Sequence, residues 1–502
     1  MCSRIFSAAL LATTALTAPA LADVTPADVW ASWEETLTNY GDDSVEIGSV
    51  TPTGTGITVS GITISAEAPD VTFGATVEEI VFTDNGDGTV GITMSEEIPM
   101  SVEATEDGDT IEIPMILTFA GFEMTASGDP GAINTAYAGT EVAVSLGDVT
   151  EIEEDVDISF AMRMVGVSGE TLWSEISDTV RGNVATLAAN SILFDLAVND
   201  ATEGNVVMSM VANNMTMASE GTMPMGVSFL DPALMTDPDY SGTFVASLGG
   251  SNTELSFRDP ETEGSARISS QGGSTEIVFG GDGLGYKGGA QGIDLAVTSS
   301  DLPVPVAITM GSYGYDFLMP AGATDDARPF RFGLSLVDVG IDNFLWNMFD
   351  PGEVLPRDPA TIAFALDGMG RWFFDIMDPD AAMEFGEDEI PGEVDSLTLS
   401  DLTVSVAGAE LTGDGAFTFD NSDLITFDGI PAPDGAVNLQ LVGGNALLDK
   451  LVQMGLLPQE QAMGARMMMG LFMTPGAGDD VLTSTIAIQP NGQILANGQR
   501  IR

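Results

Sequence analysis

The chain reads as mainly β: a long antiparallel meander forming a twisted or curled sheet, with a helix before it and a helical hairpin near its end. Three observations carry this reading. Apolar residues alternate with period two over most of the length, turn formers recur roughly every ten residues, and the connections are too short for the crossover helices that parallel strands require. Hydrophobic residues make up 44% of the chain, enough to build a core despite the heavy charge.

The elements follow in order. Arg4, an apolar run from Ile5 to Leu16 and Ala20-Leu21-Ala22 before Asp23 predict a Sec-type signal peptide over 1–22, cleaved after Ala22, and with it a periplasmic location. The apolar run is shorter than the ~20 residues a membrane-spanning helix needs, and no later stretch is long and apolar enough, so no transmembrane segment is expected after cleavage. Cys2 precedes the apolar run instead of following a lipobox, which makes it incidental. Residues 23–502 then contain neither cysteine nor histidine.

Thr25-Pro26-Ala27-Asp28 gives an N-cap, a proline at the first helical position and an acid in the first turn. Val29, Trp30, Trp33, Leu37 and Tyr40 then share one helical stripe, and Gly41 offers the stop. That stripe is expected to pack on a sheet. From Val45 the period becomes two, as in Ile57 and Val59, Ile62 and Ile64, Val71 and Phe73, and Ile111 to Phe119. Asp84-Asn85-Gly86-Asp87-Gly88 supplies the positive φ angles of a tight hairpin between Phe82 and Val90. Its register fails as a calcium loop, because Thr89 falls where glycine is needed. The rhythm runs to about Met319.

Turn formers cluster at Pro320–Pro329 and again from Asp350-Pro351 to Asp358-Pro359. The expected organisation is a leader over 1–22, the helix and meander over 23–320, and a β-rich C-terminal part over 321–502 holding a helical hairpin at 445–474. In that hairpin Asn445 is read as the cap of a run with Leu447, Leu448, Leu451 and Val452, and Gly455 as its end. Pro458 opens a second arm carrying Met463, Met467, Met468, Met469 and Met473 beside Leu471 and Phe472. Methionine in that density makes either a core or an adaptable binding surface. A strand from Leu482 to Ile488 and an Asn491-Gly492 turn close the chain.

The chemistry is restricted. Without histidine there is no imidazole base, triad or metal ligand, and a lysine-activated serine would have to use Lys287 or Lys450. No glycine-rich phosphate loop is present, and no cofactor or metal site is predicted. With 14 basic against 76 acidic residues and a formal charge of −62, the chain repels nucleic acid.

Several stretches resemble the exported alphaproteobacterial proteins grouped as domain of unknown function 2125. They are Asp23 to Trp30, Phe349-Asp350-Pro351 with Leu355-Pro356-Arg357-Asp358-Pro359, Gly415 to Asn421, Gly443-Gly444-Asn445 and Ala496 to Gln499. The resemblance brings no catalytic residues. A looser architectural similarity points to AsmA-type envelope proteins, which implies a part in lipid traffic.

The functional expectation is a non-enzymatic envelope protein that binds a lipid or other apolar ligand in a β groove. Trp346, Arg357, Met467, Met468 and Phe472 are the candidate contacts, with Arg357 either binding a ligand anion or clamping Asp350 or Asp358. Two alternatives stand beside it. One is an interaction protein whose acidic surface meets a basic envelope partner. The other is a carboxylate-based glycan hydrolase, for which Trp346, Trp372, Arg357 and Arg371 mark the grouping to inspect.

Overall fold

The computed structural model describes residues 23–38, 44–68, 71–106, 109–147, 156–200, 202–227, 234, 237–281, 283–374 and 391–502. The expected leader, together with Tyr40 and Gly41, lies outside them. All described strands belong to one 26-stranded sheet in which every pairing is antiparallel.

Helix α1 (Pro26–Thr38) comes first. Thr25 caps it reciprocally: its Oγ1 accepts from the Asp28 N–H at 3.3 Å, and Asp28 Oδ2 accepts from the Thr25 N–H at 2.9 Å. The strands β1 (Val45–Pro52), β2 (Gly56–Ala68) and β3 (Val71–Asp84) then pair in turn. The next two positions are broken strands, β4 (Val90–Met94) with β5 (Glu97–Glu106), and β6 (Asp109–Ala120) with β7 (Glu123–Asp129). The long strands β8 (Ala132–Leu146), β9 (Val156–Ser177), β10 (Val180–Asp200) and β11 (Gly204–Pro224) follow.

A second broken pair is β12 (Ser241–Leu248) with β13 (Ser251–Arg258), answered by β14 (Glu263–Ser270) with β15 (Gly272–Gly280). The meander continues through β16 (Gly283–Ser299), β17 (Val306–Met319) and β18 (Arg328–Ile341). After α2 (Asn343–Phe349) come β19 (Ala360–Trp372), β20 (Gly392–Val406), β21 (Ala409–Asp420) and β22 (Ala432–Val442). The helical hairpin is α3 (Gly444–Gln453) and α4 (Gln459–Phe472), and β23 (Thr474–Pro475), β24 (Val481–Ile488), β25 (Ile494–Ala496) and β26 (Gln499–Arg500) end the chain.

Asn445 does not cap α3. Gly443 takes the cap position in the left-handed region (φ 73°), and Asn445 lies inside the helix. The free N–H groups of Asn445 and Ala446 instead donate to the Asp480 carboxylate at 3.2 and 2.9 Å. A side chain thirty-odd residues downstream therefore does what a local cap was expected to do.

Period-two alternation places one apolar row across almost the whole sheet. The register links Phe82, Ile92, Met124, Tyr137, Gly169, Leu187, Met217, Ala246 and Thr275 in succession. It continues through Gly288, Tyr315, Leu334, Phe364, Leu402, Gly413 and Leu439. At ~4.8 Å per strand the row runs roughly 70 Å along the curve of the sheet. Residues directly opposite one another share a face, so this is a single apolar surface.

A crease crosses that surface. Gly61 (φ 70°) in β2, Gly166 (64°) in β9, Asn214 (51°) in β11, Gly292 (56°) in β16 and Asp338 (55°) in β18 break the pairing at matching heights. Each shifts the alternation by one. In β11, Met215 on one side and Ala212 on the other are both buried, with Asn213 and Asn214 exposed between them. The apolar set thus stays on one face as the strands bend. A buried cluster of Val142, Val167, Ala189 and Met215 packs with Leu187 and Met217 from one side and Met164 and Ile192 from the other, so the apolar face is inside the bend.

The main core lies at the N-terminal end. There α1 covers the apolar face, with the Trp30 and Trp33 rings 5.9 and 5.4 Å from that of Phe82, which is fully buried. Arg181 of β10, only 4% exposed, reaches α1 from the far side. It donates to Ser32 Oγ at 2.9 Å, lies 3.1 Å from Glu35 Oε2 and stacks 5.0 Å from the Trp173 ring.

Candidate apolar furrow

Among the described residues beyond β11 no helix covers the face in this way, and the side chains that continue the core are part-exposed. Tyr286 is 42% exposed and Phe332 46%. These two share a cross-strand row with Phe244, Ile277, Phe317, Leu366 and Leu399. The rings form a ladder: Tyr315 to Phe317 6.0 Å, Phe317 to Phe332 4.9 Å and Phe332 to Phe364 5.4 Å. Glycines lie opposite several aromatics. At Gly368 a Cβ would collide with the Phe330 ring, and at Gly169 with Tyr137, so the rings lie flat over bare backbone and leave the furrow open. Within the long row the hydroxyls of Thr275 and Tyr315 share a 2.8 Å hydrogen bond.

The furrow deepens at one rim into a cavity of about 500 Å³, bounded by Leu284, Tyr286, Phe317, Met319, Phe330, Phe332, Trp372 and Val394. That volume suits a small apolar ligand or one end of a long one. Three charged residues, Arg331, Arg371 and Glu393, also belong to the lining. Arg371 donates to Glu393 Oε2 from Nε at 3.1 Å and from Nη2 at 2.6 Å, and its Nη1 bonds the Asp325 carbonyl. Arg331 bonds Asp367 at 3.0 Å and Asp316 at 3.3 Å. The hydrogen bonds to Glu393 and to Asp367 push both guanidinium pKa values up from an already high starting point, holding each firmly charged.

A larger depression, about 690 Å³, lies at Asn205, Arg258, Glu263 and Ser299. Its lining is mainly polar, and Arg258 there is engaged by Glu263 at 2.6 Å. Among the described residues no group of three or more acids is arranged to hold a metal ion.

The sequence-predicted residues sit elsewhere. Trp346 lies half-buried on α2 with its ring 5.0 Å from Phe349. Arg357 bonds the side-chain oxygens of Asn343 and Asn347, each at 2.6 Å, and the Asp350 carbonyl at 3.4 Å, with Glu353 at 3.7 Å. It therefore ties the loop after α2 back onto that helix. The buried Asp350 carboxylate is opposed by desolvation, yet N–H bonds from Val354 and Leu355 and the charge of Arg357 carry its pKa below the usual range. Met467 (72% exposed), Met468 (52%), Met463 and Leu471 form an uncovered stripe on α4, not a core. Phe472 is half-buried, its carbonyl accepting from Ser484 Oγ and Asn497 Nδ2.

These residues fall into two groups. Trp346, Arg357 and the α3–α4 hairpin sit at one rim, where Pro356 and Lys450 both approach Gly408. Trp372 and Arg371 are at the other end of β19, about 40 Å away at ~3.3 Å per residue. The grouping considered for a glycan hydrolase is therefore not assembled, and among the described residues the cavity beside Trp372 has one carboxylate on its lining, Glu393, where paired acids would be needed. What the sequence reading missed was the aromatic ladder. Its signal lay in Tyr286, Phe317, Phe332 and Phe364, each in a separate strand and joined only by register.

Among the described residues this is a single-sheet β protein whose inner face is sealed by a helix at one end and open along the rest. It belongs to the family described as uncharacterized protein conserved in bacteria (DUF2125), whose model matches residues 246–498. The matched half holds the open furrow, while the α1-capped core lies outside it. The match supports that family and not the looser likeness to AsmA-type proteins. No curated protein matches the chain.

Proposed function

We propose that this is a periplasmic, non-enzymatic envelope protein that carries or shelters a lipid or other apolar molecule on the inner face of its sheet. The observation that supports this most is the continuous apolar row, half-exposed from β12 onward, in a chain whose 76 acidic residues would otherwise keep its surface polar. Uncovered apolar surface on this scale is costly in water and marks a binding site. The leader-like N-terminus supports the location, and the lack of histidine and of cysteine after Cys2 supports a binding role over a catalytic one. The exposed Met467 and Met468, with Phe472 and Trp346 at the same rim, are further contacts for the ligand or for the surface that delivers it, and Arg357 positions Trp346.

Native mass spectrometry with organic extraction, on protein released from the periplasm without detergent, tests the reading. A stoichiometric apolar adduct is expected. A ligand-free protein that also fails to take up an acyl probe would end the proposal.

A further inference from the structure

The helical hairpin differs from the rest of the chain in charge. Residues 435–502 hold four acidic and four basic side chains, so the whole formal charge of −62 is carried by residues 1–434. The exposed stripe of α4 stands on this neutral part. Met463, Met467 and Leu471 follow one another at successive turns, 65%, 72% and 60% exposed, with Met468 beside them. The acid of α4, Glu460, lies in its first turn, at one end of the stripe. The opposite side of the helix is fixed in place. Ala462 is buried, Arg466 bonds Asn445 Oδ1 at 3.2 Å and Asp449 Oδ1 at 2.6 Å on α3, and the Phe472 carbonyl accepts from Ser484 Oγ at 2.7 Å. The methionines and Leu471 are therefore presented outward by a braced helix.

We infer that α4 docks flat on a phospholipid bilayer whose lipids carry no net charge, with Met463, Met467 and Leu471 among the upper acyl chains. Three features favour this partner. With 14 residues the helix is too short to span a bilayer, which leaves a position in the interface plane. The stripe contains no tryptophan or tyrosine, and Arg466 is held by α3, so the anchors typical of a specific protein interface are missing, while methionines adapt to a fluid surface. Charge around the stripe is balanced, so a zwitterionic head group meets no repulsion there, whereas the acidic remainder of the chain disfavours an anionic membrane. Docking of this kind needs no ligand in the furrow, so it and the apolar-ligand reading fail separately.

The test is flotation of the full chain with phosphatidylcholine vesicles. The wild type should float with them. The double variant Met467→Ser, Leu471→Ser should weaken the partition about hundredfold, about tenfold for each largely exposed side chain that no longer enters the acyl layer. Ile425, 89% exposed in the loop after β21, is the control, and Ile425→Ser should float as the wild type does. Replacing part of the phosphatidylcholine by phosphatidylglycerol should reduce flotation at low salt.

A wild type that stays in solution overturns the inference. So does a double variant that keeps the wild-type circular dichroism and floats equally well, loss of flotation in Ile425→Ser, or stronger flotation on the anionic vesicles. A chain that ignores vesicles yet sediments as a dimer broken by the double variant would assign the stripe to a second copy instead.

Discussion

Phe82 and Phe332 lie on the same face of one sheet, but in different surroundings, and truncating each to alanine separates core from furrow. Phe82 has no exposed surface and meets Trp30 and Trp33 within 6 Å. Phe82→Ala removes a whole ring from a closed site and should cost about 3–5 kcal/mol. Phe332 keeps 46% of its surface in solvent and has ring neighbours on its two flanking strands. About half the transfer energy of a phenylalanine is then at stake and no closed cavity forms, so Phe332→Ala should cost only about 1–1.5 kcal/mol. Urea unfolding followed by circular dichroism gives both values. Binding of a labelled acyl alcohol should show the reverse order, lost in Phe332→Ala and kept in Phe82→Ala under folding conditions. Equal destabilisation by the two substitutions would mean that the Phe332 face is covered, and the furrow argument would fail.

Other outcomes follow from the same geometry. Arg181→Ala strips α1 of its link to β10 and exposes Trp173, and should destabilise by about 2–4 kcal/mol, with increased amide exchange concentrated in α1. Asp480→Ala uncaps α3 and should cost about 1 kcal/mol, seen as faster exchange at Asn445 and Ala446. Desolvation opposes the charge on Asp480, but the Ala446 and Asn445 bonds and Arg466 outweigh it and lower its pKa. The capping contribution is therefore complete above the unfolded value near ~3.9 and fades as pH falls through the lower folded value, and a hairpin that loosens as pH rises instead would refute the assignment. Met467→Ser, at a 72% exposed position, should change stability by less than about 0.5 kcal/mol while weakening adsorption to zwitterionic vesicles. A large loss of stability would show that α4 is packed.

The sheet was legible because its signals are local. Period two in Ile57 with Val59 and in Ile62 with Ile64, the Asp84–Gly88 turn and the Thr25-Pro26 start each act within a few residues, and the structure realises all three. The crease was not legible. A glycine such as Gly166 or an asparagine such as Asn214 reads as a weak point in one strand, and only their alignment across neighbours makes a bend. The Asp480 cap and the Arg181 clamp escaped for the same reason, since they join residues 34 or more positions apart. Methionine density on α4 announced an apolar surface, but whether Met467 faces core or solvent depends on what lies beside the helix. The furrow combines both difficulties: its ladder is built from one aromatic per strand, and its openness is a fact about what fails to cover it.

The most direct test of the central claim uses neighbouring residues on opposite faces. Leu334 points into the furrow in register with Tyr315 and Phe364, and Ser335 points outward. A photoreactive amino acid placed at either position, irradiated in the periplasm and analysed by mass spectrometry, reports what each face touches. Position 334 should acquire a lipid-mass adduct and position 335 should not. Adducts at both positions, or at neither, would contradict a ligand held on the inner face.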